Sequence, residues 1–203
     1  IVLPLLTRIY TQDIYGAWLQ ITLIKGLLVN LLCLRLETAL VRYLSGEKDK
    51  KQLIKAVFTV TCGVSLFFIV TLYFFQDQAS RLIFGKQGFA PFLMISSIWM
   101  VINACMLIGL EVLRSQERIV TISIRQVLSA LWMIAAAILA YLIHLDIQSL
   151  ILICITGDAI LLIWILLQIG VPVPFTSLFE SIKIVLKFLP YSLPLIFNSL
   201  FLW

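Results

Sequence analysis

An all-α, polytopic membrane helical bundle is the fold class that this sequence predicts, on three observations. Of its 203 residues, 62% are hydrophobic and 12% charged, with a mean hydropathy of +1.10. A soluble domain carries about 25% charged residues, so no water-facing surface can be built from what is left. Apolar runs recur along the chain at the ~20 residues that a bilayer-crossing helix needs. None of them alternates as an outer-membrane strand does, which leaves helices.

The elements follow in order. "IVLPLLTRIY" reads as the last part of a span, over 1–9. Complete spans are expected near 15–36, 53–75, 90–112, 119–143 and 147–170, with a truncated one from about 188. With partial spans at both ends, the chain reads as an internal fragment of a longer protein. Between spans the connections are short and polar or charged. "LRLETALVRYL" (34–44) is expected to continue the second helix beyond the bilayer. The prolines of "VPVPF" end the sixth span. "SLFESIKIVLKFL" (177–189) then places Leu178, Ile182, Val185 and Leu189 on one face, with Glu180, Lys183 and Lys187 largely on the other. That pattern suits an amphipathic helix on the cytoplasmic surface. Pro190 and Pro194, four apart at the start of the next span, are candidate hinge residues; a static kink is the plainer reading.

Lysine and arginine set the orientation. Arg42, Lys48, Lys50, Lys51, Lys55, Arg114, Arg118, Lys183 and Lys187 fall on one side, and Arg8, Arg81 and Lys86 on the other. The side holding loop 45–52 is therefore cytoplasmic. The net charge of +5 is mostly this signal. The basic residues are juxtamembrane and not interleaved with aromatics, so they do not suggest nucleic-acid binding. The four cysteines lie inside apolar runs without a CxxC pair, and the single histidine, His144, ends a span. No ligand cluster for a metal is present in the sequence, and no cofactor is expected.

Function has to be read from charges inside the spans. Lys25 lies ~15 Å from either end of its helix, and Asp158 is equally central in the sixth span. Arg125 is ~10 Å from the cytoplasmic end of the fifth. Arg35 stands near the cytoplasmic end of the second, close to Glu37. Each charge at a bilayer centre costs about 2.5–3.5 kcal/mol, so these groups must face one another or water. Lys25 and Asp158 can form one buried pair that only fixes packing. Arg125 can snorkel to the headgroups, and Arg35 and Glu37 can be rim residues. The functional alternative is a water-filled cavity whose cationic lining attracts an anion, with Asp158 pairing within it or carrying a coupling proton. Ser96, Asn103 and Arg114 share a helix face in the fourth span, and Asn103 joins Lys25, Arg35, Arg125 and Asp158 as a candidate substrate-binding residue. Thr22 and Asn30 flank Lys25.

"LPLLTRIYTQDIYGAW", "LRLETALVRYLSGEKDKKQL", "LEVLRSQERIVTISIRQVL" and "LKFLPYSLPLI", in this order and spacing, resemble polysaccharide and oligosaccharide flippases of the O-antigen type. These belong to the multidrug/oligosaccharidyl-lipid/polysaccharide exporter superfamily. The resemblance implies two six-helix lobes within 12–14 spans, around a cavity that opens alternately to each face. Residues 1–170 would be the N-terminal lobe with its first helix truncated, 171–189 a cytoplasmic amphipathic linker, and 190–203 the start of the second lobe. The implied substrate is a polyprenyl-pyrophosphate-linked oligosaccharide. It would be moved from the cytoplasmic to the outer leaflet of the cell membrane for surface polysaccharide, such as lipopolysaccharide. A coupling proton or sodium ion, membrane lipid and a monomer complete the expectation. The alternatives are a cation-coupled multidrug or metabolite exporter of the same superfamily, against which two deep cations to one deep anion argue; a membrane-bound glycan-assembly enzyme, which would need a base or nucleophile on a sizeable loop; and a scaffold, for which deep charges are an unnecessary cost.

Overall fold

Small and apolar residues along the third of the long helical segments make it the centre of the molecule. The computed structural model describes residues 2–44, 50–85, 88–170 and 178–201. Its helices are α1 (Val2–Ile9), α2 (Gln12–Leu32), α3 (Leu36–Leu44), α4 (Lys50–Phe74), α5 (Gln76–Phe84), α6 (Ala90–Ser115), α7 (Ile119–Ile143), α8 (Ile147–Ile169), α9 (Leu178–Leu186) and α10 (Leu189–Phe201). No strand occurs among the described residues. Five helices, α2, α4, α6, α7 and α8, are long and apolar enough to cross a membrane. They coincide with the five complete spans expected, to within a few residues at each end. Loop 45–52, except its last three residues, and the "VPVPF" segment lie outside the described residues.

Helix α6 packs on α2, α3, α4, α5, α7 and α8. Ser96, Ser97, Ala104 and Gly109 lie buried along it, and small side chains let neighbouring backbones approach. A Cβ at Gly109 would stand 2.8 Å from Ile165 Cγ2 of α8. One apolar core joins α3, α4 and the adjoining half of α6, and a second joins α1, α2, α8 and the other half of α6. Outward-facing Ile124, Val127, Leu131 and Leu142 of α7 stay exposed, as a lipid-facing helix requires.

Gly157 sets the approach of α7 to α8. The Trp132 indole occupies the space where a Cβ at Gly157 would stand, and its Nε1 donates to the Ile153 carbonyl at 2.9 Å. Gly157→Val is therefore expected to lower stability by about 1–3 kcal/mol through overpacking, read as a lower midpoint of thermal unfolding in detergent. An unchanged midpoint would mean that Trp132 swings away freely.

Four features depart from the sequence reading. The second helix does not run on through 34–44. Leu34 and Arg35 take left-handed φ values of 50° and 53°, which costs about 1–2 kcal/mol per residue without glycine. The chain closes α2 through Leu34 N–H to the Leu31 carbonyl and restarts as α3. Second, the connection between the third and fourth spans contains a helix, α5, whose period was hidden by the polar Gln76, Asp77, Gln78 and Arg81.

Third, the amphipathic helix is shorter than 177–189 and runs along α4. Its buried residues are Ser181 and Val185, while Leu178 and Ile182 line an open apolar groove with Val60, Gly63 and Phe67. Leu178 Cδ2 lies 3.2 Å from where a Gly63 Cβ would stand, about 20 Å along α4 from Lys50. Fourth, Pro190 falls in the first turn of α10, where no N–H is needed. Only Pro194 lies inside the helix, where it leaves a backbone carbonyl without its helical donor.

Candidate functional site

Half-buried Lys25, on α2, faces α6 rather than a carboxylate. Its Nζ sits 3.5 Å from the centroid of the Trp99 ring, a cation–π contact of about 2 kcal/mol or more when water is excluded. Trp99 is 1% exposed. A buried indole needs an acceptor for its N–H, and Trp99 Nε1 donates to Asp158 Oδ2 at 2.7 Å. One turn further along α6, Asn103 Nδ2 donates to the same oxygen at 3.1 Å and to the Trp99 carbonyl at 3.0 Å. The other carboxylate oxygen, Oδ1, faces Arg125 Nη2 of α7 at 3.8 Å, with the two side chains 15% and 13% exposed. Four helices thus converge on one charged cluster at mid-depth.

Asp158 is held from three sides, by two neutral donors and one cation. Arg125 Nε is buried with no hydrogen-bond partner among the described residues. No carboxylate lies within ion-pair distance of Lys25 among the described residues. The direct Lys25–Asp158 pair is replaced by a relay in which the indole takes the ammonium on its face and reaches the carboxylate with its edge. Arg125 does not snorkel; it turns inward to Asp158. The arrangement leaves a lysine without a hydrogen-bond or ion-pair partner among the described residues, next to a carboxylate already satisfied.

Of the sequence candidates, Lys25, Asn103, Arg125 and Asp158 are brought together, and Arg35 is not. Trp99 escaped the sequence reading because tryptophan in an apolar run looks like lipid-facing or core bulk. A signal was present: Trp99 is four residues before Asn103, hence on the same face, and mid-span tryptophan departs from the interfacial preference of that residue. The shared face of Ser96, Asn103 and Arg114 serves three different places. Ser96 lines an apolar pocket with Ile21, Phe68 and Met100, and Arg114 Nη1 donates to Glu111 Oε1 at 2.7 Å. Thr22 and Asn30 both bond back to their own helix.

Arg35 instead meets Glu37, Nη1 to Oε1 at 3.4 Å, beside the α2–α3 break. Glu37 is 3% exposed. Burial pushes its carboxyl above the usual range; its own backbone hydrogen bond and Arg35 oppose this, and Glu111 adds to it. Arg42 and Arg114 line the same cavity. A carboxyl that holds its proton more tightly folded than unfolded stabilises the fold most at acid pH. That contribution is lost as pH rises from the unexceptional 4.5 through the raised value. Glu37→Gln is therefore expected to flatten a fall in thermal stability above pH 4.5, seen in unfolding curves from acid to neutral pH; an unaltered profile would assign that slope elsewhere. No group of His, Cys, Asp and Glu able to hold a metal occurs among the described residues.

A family described as polysaccharide biosynthesis protein has a sequence model that matches residues 5–203. No curated protein and no solved structure matches the chain.

Proposed function

This chain belongs to the polysaccharide biosynthesis protein family, and from that premise we propose that it moves a lipid-linked oligosaccharide across the cell membrane. The family places it in polysaccharide synthesis or export, and its five membrane-capable helices make it a multi-pass membrane protein. The finer reading is a flippase. A polyprenyl-pyrophosphate oligosaccharide presents its headgroup at the cytoplasmic leaflet, the headgroup passes through the bundle by alternating access while the tail stays in lipid, and the product faces outward. Surface glycans such as O-antigen are products of this kind. A proton or sodium ion supplies the driving force.

The observation that carries the reading is Lys25 on the Trp99 face, with no hydrogen-bond partner and no carboxylate beside it among the described residues. A hydrated pyrophosphate entering a low-dielectric interior pays a large desolvation cost unless a fixed charge meets it. The ammonium is a compact point charge suited to that task. The cation–π contact holds the lysine in place without neutralising it. Arg125 adds positive potential, and Asp158 fixes Trp99, Asn103 and Arg125 in register. Small-molecule transport needs no covalent step, so none of these groups acts as a catalyst in this reading.

A cysteine at position 25 in the full-length protein, with the native cysteines replaced, tests it. Reaction with a membrane-impermeant thiol reagent, and protection by the lipid-linked oligosaccharide, is the expected result. Protection in every condition, substrate or none, would remove the aqueous path and with it the role given to Lys25.

A further inference from the structure

The mid-depth cluster leaves a second charged site unexplained. Arg35, Glu37 and Arg42 from the α2–α3 segment, Glu111 and Arg114 from α6, and Tyr191 from α10 line a cavity of about 540 Å³. The Arg42 guanidinium lies 4.7 Å from the Tyr191 ring centroid. Glu37, 3% exposed, has Oε2 without a hydrogen-bond partner among the described residues, and so has Arg35 at Nε. A buried polar atom without a partner costs about 1–3 kcal/mol, and here two of opposite type stand on one salt-bridged pair.

The composition of the lining selects the ligand. Three arginines suit phosphate oxygens, but two carboxylates beside them would repel a bare anion. Two carboxylates suit a cation, but three arginines would repel it. A ligand that offers phosphate and hydroxyl groups together satisfies both sets, because an ionised carboxylate is an acceptor and sugar hydroxyls are donors. Helix α6 joins this cavity to the mid-depth cluster: Trp99, Asn103, Leu107 and Glu111 follow one another at intervals of four along it. Asn103 and Glu111 are about 12 Å apart along the axis, so the two sites are consecutive stations on one face.

We propose that this cavity reads the sugar of a glycosyl diphosphate, with Arg35, Arg42 and Arg114 on the phosphates and Glu37 and Glu111 accepting from the sugar hydroxyls. The inference rests on the flippase reading and names the site that distinguishes a glycosylated from a bare lipid diphosphate. It also places Tyr191 of α10 at the ligand, so that occupancy is felt by the helix that follows α9.

The test is binding to the full-length protein in lipid nanodiscs, followed by native mass spectrometry. Three probes are compared: farnesyl-diphospho-N-acetylglucosamine, farnesyl diphosphate and UDP-N-acetylglucosamine. The expected result is a preference of about tenfold or more for the glycosylated over the bare farnesyl diphosphate, falling below about twofold in Glu37→Gln and in Glu111→Gln, as loss of a charged hydrogen bond predicts. The readout is a ratio on one protein sample, so a loss of folded protein cancels. Equal preference for UDP-N-acetylglucosamine, lost in the same variants, supports the site and assigns it to a free nucleotide sugar. A preference that survives both substitutions overturns the proposal. So does its absence in the unsubstituted protein; if Lys25→Gln still weakens farnesyl diphosphate binding, the mid-depth anion site stands alone. Binding of neither lipid overturns the flippase reading itself.

Discussion

Asp158→Ala is expected to destabilise the protein by about 3–5 kcal/mol, the cost of leaving one member of a buried ion pair without its partner. The substitution strips Arg125 of the one carboxylate within ion-pair distance of it among the described residues, at 3.8 Å, and deprives Trp99 Nε1 and Asn103 Nδ2 of a shared acceptor. Three elements, α6, α7 and α8, lose their common tether at once. Asp158→Asn keeps an oxygen for Trp99 but not the charge, so its effect falls between wild type and alanine. Adding Arg125→Gln to Asp158→Asn removes the stranded cation and is expected to recover much of the loss. Thermal unfolding in detergent measures all three. If Asp158→Ala melts with the wild type, the carboxylate is not the tether that the geometry describes.

Lys25→Gln has its largest expected effect on transport. Loss of one charge-assisted interaction of about 1.5–3 kcal/mol corresponds to roughly 10- to 100-fold slower movement of a lipid-linked oligosaccharide in proteoliposomes. Stability moves little, because the lysine makes no ion pair among the described residues and the lost cation–π contact is offset by relief of a desolvated charge. That contrast is the expected signature of the two residues: a loss of stability at Asp158 and a loss of transport at Lys25. Lys25→Arg keeps the charge and stacks on the indole as well, so it is expected to retain most transport. Equal transport by Lys25→Gln and wild type would overturn the anion-handling role.

The spans and the mid-depth residues were legible because both follow from one constraint. A bilayer accepts only helices of about 20 apolar residues, and it makes every charge within them conspicuous by its cost. Lys25, Arg125 and Asp158 could be picked out by position alone, and Asn103 by its polar side chain on the same ruler. Arg35 could be picked out too, but not where it would stand: the left-handed Leu34 and Arg35 turn the chain between α2 and α3, and neither residue carries the glycine signature that announces such a turn. Helix α5 was hidden for the opposite reason, since a short polar helix outside the apolar ruler has no length criterion to meet.

By itself the sequence determined the class of fold, the number and bounds of the complete spans, and the short list of charges that must be buried together. Those depend on composition and on period along one helix at a time. Which charge meets which was decided only in the tertiary structure, because pairing depends on the rotation and depth of each helix against the others. Packing through Gly109 and Gly157 sets how closely α7 and α8 approach α6 and one another. It is that approach which gives Asp158 to Arg125, Trp99 and Asn103 and leaves Lys25 on the indole face.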